Sequence, residues 1–249
     1  MKRYLLAATL GLSTQAMAAP TTDACSALPN QATLEKALKS VVKTTSGEVN
    51  GGFELNMWGT VVTRDGTVCA VAKTGNDKAE QWPGSRVISA QKANTANAFS
   101  LPDLALSTAN LYAATQPGGS LYGLQHSNPV DTEVAYTGKA TDWGTIKDAM
   151  IGKRIGGINV FGGGLPLYNE KGNLVGAIGV SGDSSCADHN IAWKTRDALI
   201  LDYVPGGVSA TGDDNINYDQ TNGFSHVECG NNEVAIAEKL PKAFPISKK

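Results

Sequence analysis

The chain has 249 residues, of which 41% are apolar, enough for a packed core in one large domain or two small ones, so general disorder is excluded. Its formal net charge is −2 and it carries no basic block, which excludes a nucleic-acid binder that works by phosphate neutralisation. Charged residues make up only 18% and there are 28 glycines, a mix that favours turns and close backbone approaches over a long helical bundle.

Met1-Lys2-Arg3 is a basic start, Tyr4 to Leu12 is apolar, and Ala16-Met17-Ala18 has the small-x-small spacing of a cleavage site. That order predicts a secretory signal peptide over 1–18, with a mature chain from Ala19 and a periplasmic or secreted location. The apolar run is too short to span a bilayer, and no other stretch is apolar enough to do so.

From Asn30 to Val42 the residues Leu34, Ala37, Leu38, Val41 and Val42 recur at three- and four-residue spacing, which predicts an amphipathic helix. Met57–Thr63 and Thr67–Lys73 are β-branched runs joined by Asp65-Gly66, the signature of a hairpin. Trp82-Pro83-Gly84 reads as a loop, with Ser85 as cap of a helix over Arg86–Phe99. Its Ala90, Ala93 and Ala96 let it lie close on a sheet. A second helical run is expected over Leu104–Thr115, and the polar, turn-rich stretch from Gln116 to Ala140 has no assignable regular structure.

Ile155–Phe161 reads as a strand, followed by Gly162-Gly163-Gly164, then by two short strands around Lys171-Gly172. After Ser181-Gly182-Asp183-Ser184-Ser185 a helix is expected to run to Leu201. Asp188, three residues beyond Ser185, resembles a capping box, and Asp183 and Asp188 suit the positive end of the helix dipole. Beyond Pro205-Gly206-Gly207 the tail is polar and without clear period. The domain therefore ends near residue 204, and 205–249 reads as a C-terminal extension.

Cys25, Cys69, Cys186 and Cys229 are widely spaced, which argues against clustered zinc ligands and, in an exported chain, for two disulfides. Four cysteines allow three pairings. The favoured one joins Cys25 to Cys69 and Cys186 to Cys229, because each bond ties an early or late tail to the core.

Three catalytic or metal signatures fail. Gly179-Val180-Ser181-Gly182-Asp183 lacks the second glycine of a nucleophile elbow. Gly152-Lys153-Arg154 lacks the spacing of a phosphate loop. Asp213-Asp214-Asn215-Ile216-Asn217 starts like a calcium loop, but Tyr218 replaces its glycine. The consecutive glycines before Leu165-Pro166 need a reason, either a tight crossing of strands or bare backbone approached by a flat ligand. Of His126, His189 and His226, His189 sits nearest the glycine-rich hairpin and is the candidate ligand to haem iron.

Gly162-Gly163-Gly164-Leu165-Pro166-Leu167-Tyr168, Gly172-Asn173-Leu174-Val175-Gly176-Ala177-Ile178-Gly179-Val180-Ser181-Gly182, Asp188 and Ile191-Ala192 form a specific set. Together with the Asp65-Gly66 hairpin and Ala90-Gln91-Lys92-Ala93-Asn94-Thr95-Ala96, the set resembles the GlcG/HbpS family of haem-degrading domains, related to the PduO C-terminal domain. The resemblance covers about Leu34 to Leu201 and implies a profilin-like α/β (α+β) fold. In that fold a central antiparallel sheet is flanked by helices, often in a homo-oligomer. Haem-binding relatives often carry a histidine in the turn following the Asp-x-x-Gly-type residues of the first hairpin, where this chain reads Asp65-Gly66-Thr67-Val68 and has none, so the resemblance implies no haem ligation from that position.

The expectation is an exported small-molecule-binding protein for haem or a related flat, carboxylate-bearing ligand. Gly163, Gly164, Pro166, Ser181 and Gly182 are its expected lining, with haem as the possible cofactor. The alternatives are an oxidative haem-degrading enzyme and a non-catalytic oligomeric assembly module.

Overall fold

The computed structural model describes residues 24–42 and 49–247; the expected signal peptide over 1–18 lies outside them. In chain order the helices are α1 (Gln31–Val42), α2 (Ser85–Phe99), α3 (Tyr112–Thr115), α4 (Leu124–Ser127), α5 (Thr132–Tyr136), α6 (Ser185–Ala198), α7 (Glu233–Ala237) and α8 (Leu240–Ala243). The strands are β1 (Trp58–Thr63), β2 (Val68–Lys73), β3 (Gly164–Tyr168) and β4 (Leu174–Ser181).

β1 and β2 form the hairpin expected around Asp65-Gly66, with Gly66 at a φ of +82°. β3 and β4 form a second hairpin, and β4 lies antiparallel to β1, giving the order β2-β1-β4-β3. Pro166, which has no N–H to donate, therefore sits in an edge strand, where the ladder tolerates it.

Alternate residues of the strands serve two cores, as the two-residue period of a sheet requires. Val61, Ala70, Leu165, Leu167, Ile178 and Val180 pack with Leu34 and Leu38 of α1 and with Ile191 and Trp193 of α6. Trp58, Val62, Val71 and Ala177 pack with Val87, Ala90, Ala93 and Ala96 of α2. The sheet is thus covered on one face by α1 and α6 and on the other by α2. All five stripe residues of α1 are buried. On the other face, a side chain at Gly179 would run into the Ser89 carbonyl and one at Gly164 into the Lys92 carbonyl, so these glycines let the α2 backbone rest directly on the sheet.

Several expectations need correction. Ile155–Phe161 is not a strand: Gly156 and Gly157 have φ of +63° and +80°, outside the β region. Side chains of α2 satisfy the segment instead, with Asn94 Nδ2 donating to the Gly157 carbonyl (2.8 Å) and Asn159 N–H donating to Thr95 Oγ1 (2.9 Å). The run from Leu104 to Thr115 is helical only from Ala109, as a 3-10 turn and α3. Ahead of that turn, Ala105 N–H bonds to Gly206 and Leu106 N–H to Ser100 Oγ. Ser85 is the first residue of α2 and not its cap. Ser184, not Ser185, caps α6 by accepting from Ala187 N–H (3.2 Å), and that helix stops at Ala198.

Both disulfides follow the favoured pairing, Cys25–Cys69 and Cys186–Cys229. The second fastens the extension to the first turn of α6. Further buried contacts bind the extension to the same helix. Arg196 makes a two-pronged ion pair with Asp214 (2.6 and 2.8 Å), and Asn190 Nδ2 donates to the Glu233 carbonyl (3.4 Å). Among the described residues no helix is long and apolar enough to cross a membrane.

Candidate functional site

Where β4 ends, the chain must turn sharply to start α6. Gly182 makes the turn at a φ of +155°, and a side chain there would meet the Asn56 carbonyl at 2.6 Å. Asp183 fixes the next step. Its carboxylate accepts from the N–H groups of Phe53 (2.8 and 3.0 Å), Leu55 (3.1 Å) and Ser184 (2.6 Å).

One turn into α6, Asp188 accepts from Asp183 N–H (2.9 Å) and from the Lys92 ammonium of α2 (2.6 Å). Lys92 also donates to the Val180 carbonyl (3.2 Å). Burial pushes the Asp188 carboxyl up to about 6, against the pull of Lys92, and pushes the Lys92 ammonium down.

Above this pair opens a cleft of about 300 Å3, lined by Trp82, Ser85, Ile88, Lys92, Phe161, Ser181, Asp183, Ser185 and Asp188. Trp82 and Phe161 are about half exposed (51% and 45%), so two aromatic rings stand at its open side. Trp82 is held because its carbonyl accepts from Trp58 Nε1 (2.9 Å), and Phe161 because its carbonyl accepts from Thr108 Oγ1 (2.6 Å). Apolar walls, hydroxyls and one buried ion pair line the cleft.

Of the five expected lining residues only Ser181 faces this cleft. Gly163, Gly164 and Pro166 are buried and Gly182 forms the turn beneath. A side chain at Gly163 would strike the Val180 carbonyl, so the glycine run exists for strand and helix packing and exposes no bare backbone. His189 is fully buried and does not line the cleft. Its Nε2 accepts from Ile216 N–H (3.0 Å) beside Asn215 Oδ1 (3.2 Å), and burial lowers its pKa to about 3. Haem iron takes axial ligands from His, Cys, Met or Tyr. None of the cleft-lining residues is one of these, so the cleft offers iron no axial ligand.

Sequence reasoning missed Trp82, Phe161 and Lys92 as site residues. Lys92 left a signal: a cation set among Ser89, Ala93 and Ala96 on the sheet-facing side of α2 must find a buried partner.

Residues 32–197 match the family model described as haem degrading protein HbpS-like. No curated protein matches the chain. Among solved structures the chain is similar to the PduOC–haem complex, at 21% identity over 68% of this chain and 90% of that one, with a TM-score of 0.45. It is similar to Klebsiella pneumoniae protein ORFY at 24% identity, over 69% and 90%, with a TM-score of 0.44. A Streptomyces reticuli HbpS double mutant is 18% identical over 80% and 98%, with a TM-score of 0.42. With about two thirds of its length inside the family match, the chain belongs to the HbpS-like, haem-degrading family.

Proposed function

We propose that this is an exported binding protein whose cleft takes a flat, carboxylate-bearing ring such as a porphyrin. The observation that carries this reading is the pair of half-exposed rings, Trp82 and Phe161, at the mouth of a cleft with Lys92 at its base. Two of the three ammonium protons of Lys92 are engaged, leaving the third for a ligand carboxylate, with the Ser181 and Ser185 hydroxyls beside it. A cleft of about 300 Å3 grips a small ring whole or a larger one by an edge. Family membership supports haem as the ring. The two disulfides support export.

Because the cleft offers iron no axial ligand, binding of haem and of metal-free protoporphyrin should be of similar strength. Quenching of tryptophan fluorescence by each, in wild type and in Trp82→Ala and Phe161→Ala, tests this. Saturable quenching at micromolar ligand that both substitutions weaken supports the reading; no saturable quenching by either porphyrin overturns it.

An enzymatic reading rests on a separate observation. Asp188, a carboxyl that burial pushes up to about 6 beside Lys92, is poised for proton transfer. Haem with oxygen and a reductant should then lose its Soret band only when the protein is present. The family resemblance also implies a homo-oligomer, which light scattering tests.

A further inference from the structure

We infer that Cys186, Cys229 and Glu233 become a binding site for a thiophilic divalent cation such as Zn2+ when the disulfide between them is reduced. They come from two separate pieces of chain: Cys186 from the first turn of α6, and Cys229 and Glu233, four residues apart, from the extension. Their ligand atoms lie within 4.8 Å of one another. Tetrahedral zinc, with Zn–S bonds of about 2.3 Å, needs sulfurs about 3.8 Å apart, a spacing two freed thiolates can adopt once the bond between them is broken.

The groups are also prepared electronically. Glu233 is only 1% exposed, and its two carboxylate oxygens accept from the N–H groups of Cys229, Gly230 (3.0 Å) and Asn231 (2.6 Å). Those bonds fix it and leave a lone pair for a cation. His226 packs beside Cys186. Its Nδ1 is 4.0 Å from Cys186 Sγ and donates to the Val227 carbonyl, while its buried Nε2 has no hydrogen-bond partner. Cys229 is the half-buried member, the side from which a reductant and then the ion would enter. The Cys25–Cys69 bond has no such company among the described residues.

The chemistry balances with a dithiol as reductant. The dithiol gives two electrons and two protons, the Cys186–Cys229 bond breaks to two thiols, and the reagent closes to its own disulfide. Binding of the divalent ion forms two metal–sulfur bonds and releases both protons.

The test uses the full chain, reduced anaerobically with dithiothreitol, freed of it by gel filtration, and titrated with Co2+. The expected result is one equivalent bound, with thiolate-to-cobalt charge-transfer absorption and the visible bands of a tetrahedral site, lost on adding Zn2+. The oxidised protein and Cys186→Ser/Cys229→Ser should show neither band. Cys25→Ser/Cys69→Ser should keep both, and Glu233→Gln should weaken affinity at least tenfold. Reduced protein that retains its far-ultraviolet circular dichroism yet shows no charge-transfer band overturns the proposal. So does loss of that dichroism which Co2+ fails to restore.

Discussion

Lys92 on α2 and Asp188 on α6 form a 2.6 Å ion pair across the end of β4, 96 residues apart in the chain, with side chains no more than 2% exposed. The pair ties the two faces of the sheet together at the edge of the cleft. A buried charge without its partner is costly, so Lys92→Met should destabilise the protein by about 3–5 kcal/mol. Adding Asp188→Leu should recover most of that. Urea unfolding of wild type, both single variants and the double variant measures it, and strictly additive losses would refute the coupling.

Acid should weaken the protein through its buried imidazoles. Burial lowers His189 to about 3 and His226 to about 4, whereas an unfolded imidazole titrates near 6.5. Between those values the unfolded chain takes protons that the folded one refuses. The stabilisation is therefore complete above pH of about 6.5 and drains away as pH falls toward the folded values. Its slope reaches up to about 1.4 kcal/mol per pH unit for each ring. Urea midpoints at pH 7, 6 and 5 should fall in order, less steeply than two imidazoles alone would give because the raised Asp188 carboxyl takes up its proton in the folded state and opposes them, and His189→Gln or His226→Gln should flatten the trend. A midpoint constant over that range contradicts the assignment.

Gly179→Ala should lift α2 from the sheet, because the new methyl group meets the Ser89 carbonyl and main chain cannot yield as a flexible side chain can. The expected loss is about 1–3 kcal/mol, read as a lowered melting temperature. Gly118→Ala is not a fair control, since its φ of +85° adds backbone strain. Gly84→Ala is one, with open space around it and an ordinary φ of −63°.

The Cys25–Cys69 bond closes a span of 44 residues and anchors the segment that leads into α1. Replacing both cysteines by serine should lower stability by about 4 kcal/mol if chain entropy dominates. A loss below about 1 kcal/mol would show that the unfolded chain is little restrained by it.

The α1 layer was legible in the sequence because periodicity reports burial directly and its five-residue stripe names its own inward face, whereas β1 is buried on both faces and shows no alternation to read. The hairpin at Asp65-Gly66 was legible because its turn chemistry is local. Ile155–Phe161 misled, since its apolar residues mimic a strand while Gly156 and Gly157 take conformations a strand cannot use. The cleft was only partly legible. Ser181 lay in a readable turn, but Trp82, Lys92 and Phe161 reach it from distant stretches through contacts that no local pattern announces. The glycine run was noticed for a sound reason, its cost to a strand, and the compensation proved to be close packing.

The extension beyond residue 204 lies outside the family match, yet it supplies Asp214 to the buried guanidinium of Arg196 and the Ile216 N–H to His189. A chain truncated at the homology border would strand a cation in an oily interior and strip the outer flank of α6. Kinship and foldability thus have different borders in this molecule: the matched segment, cut free, should be recovered as aggregate and not as a smaller working copy.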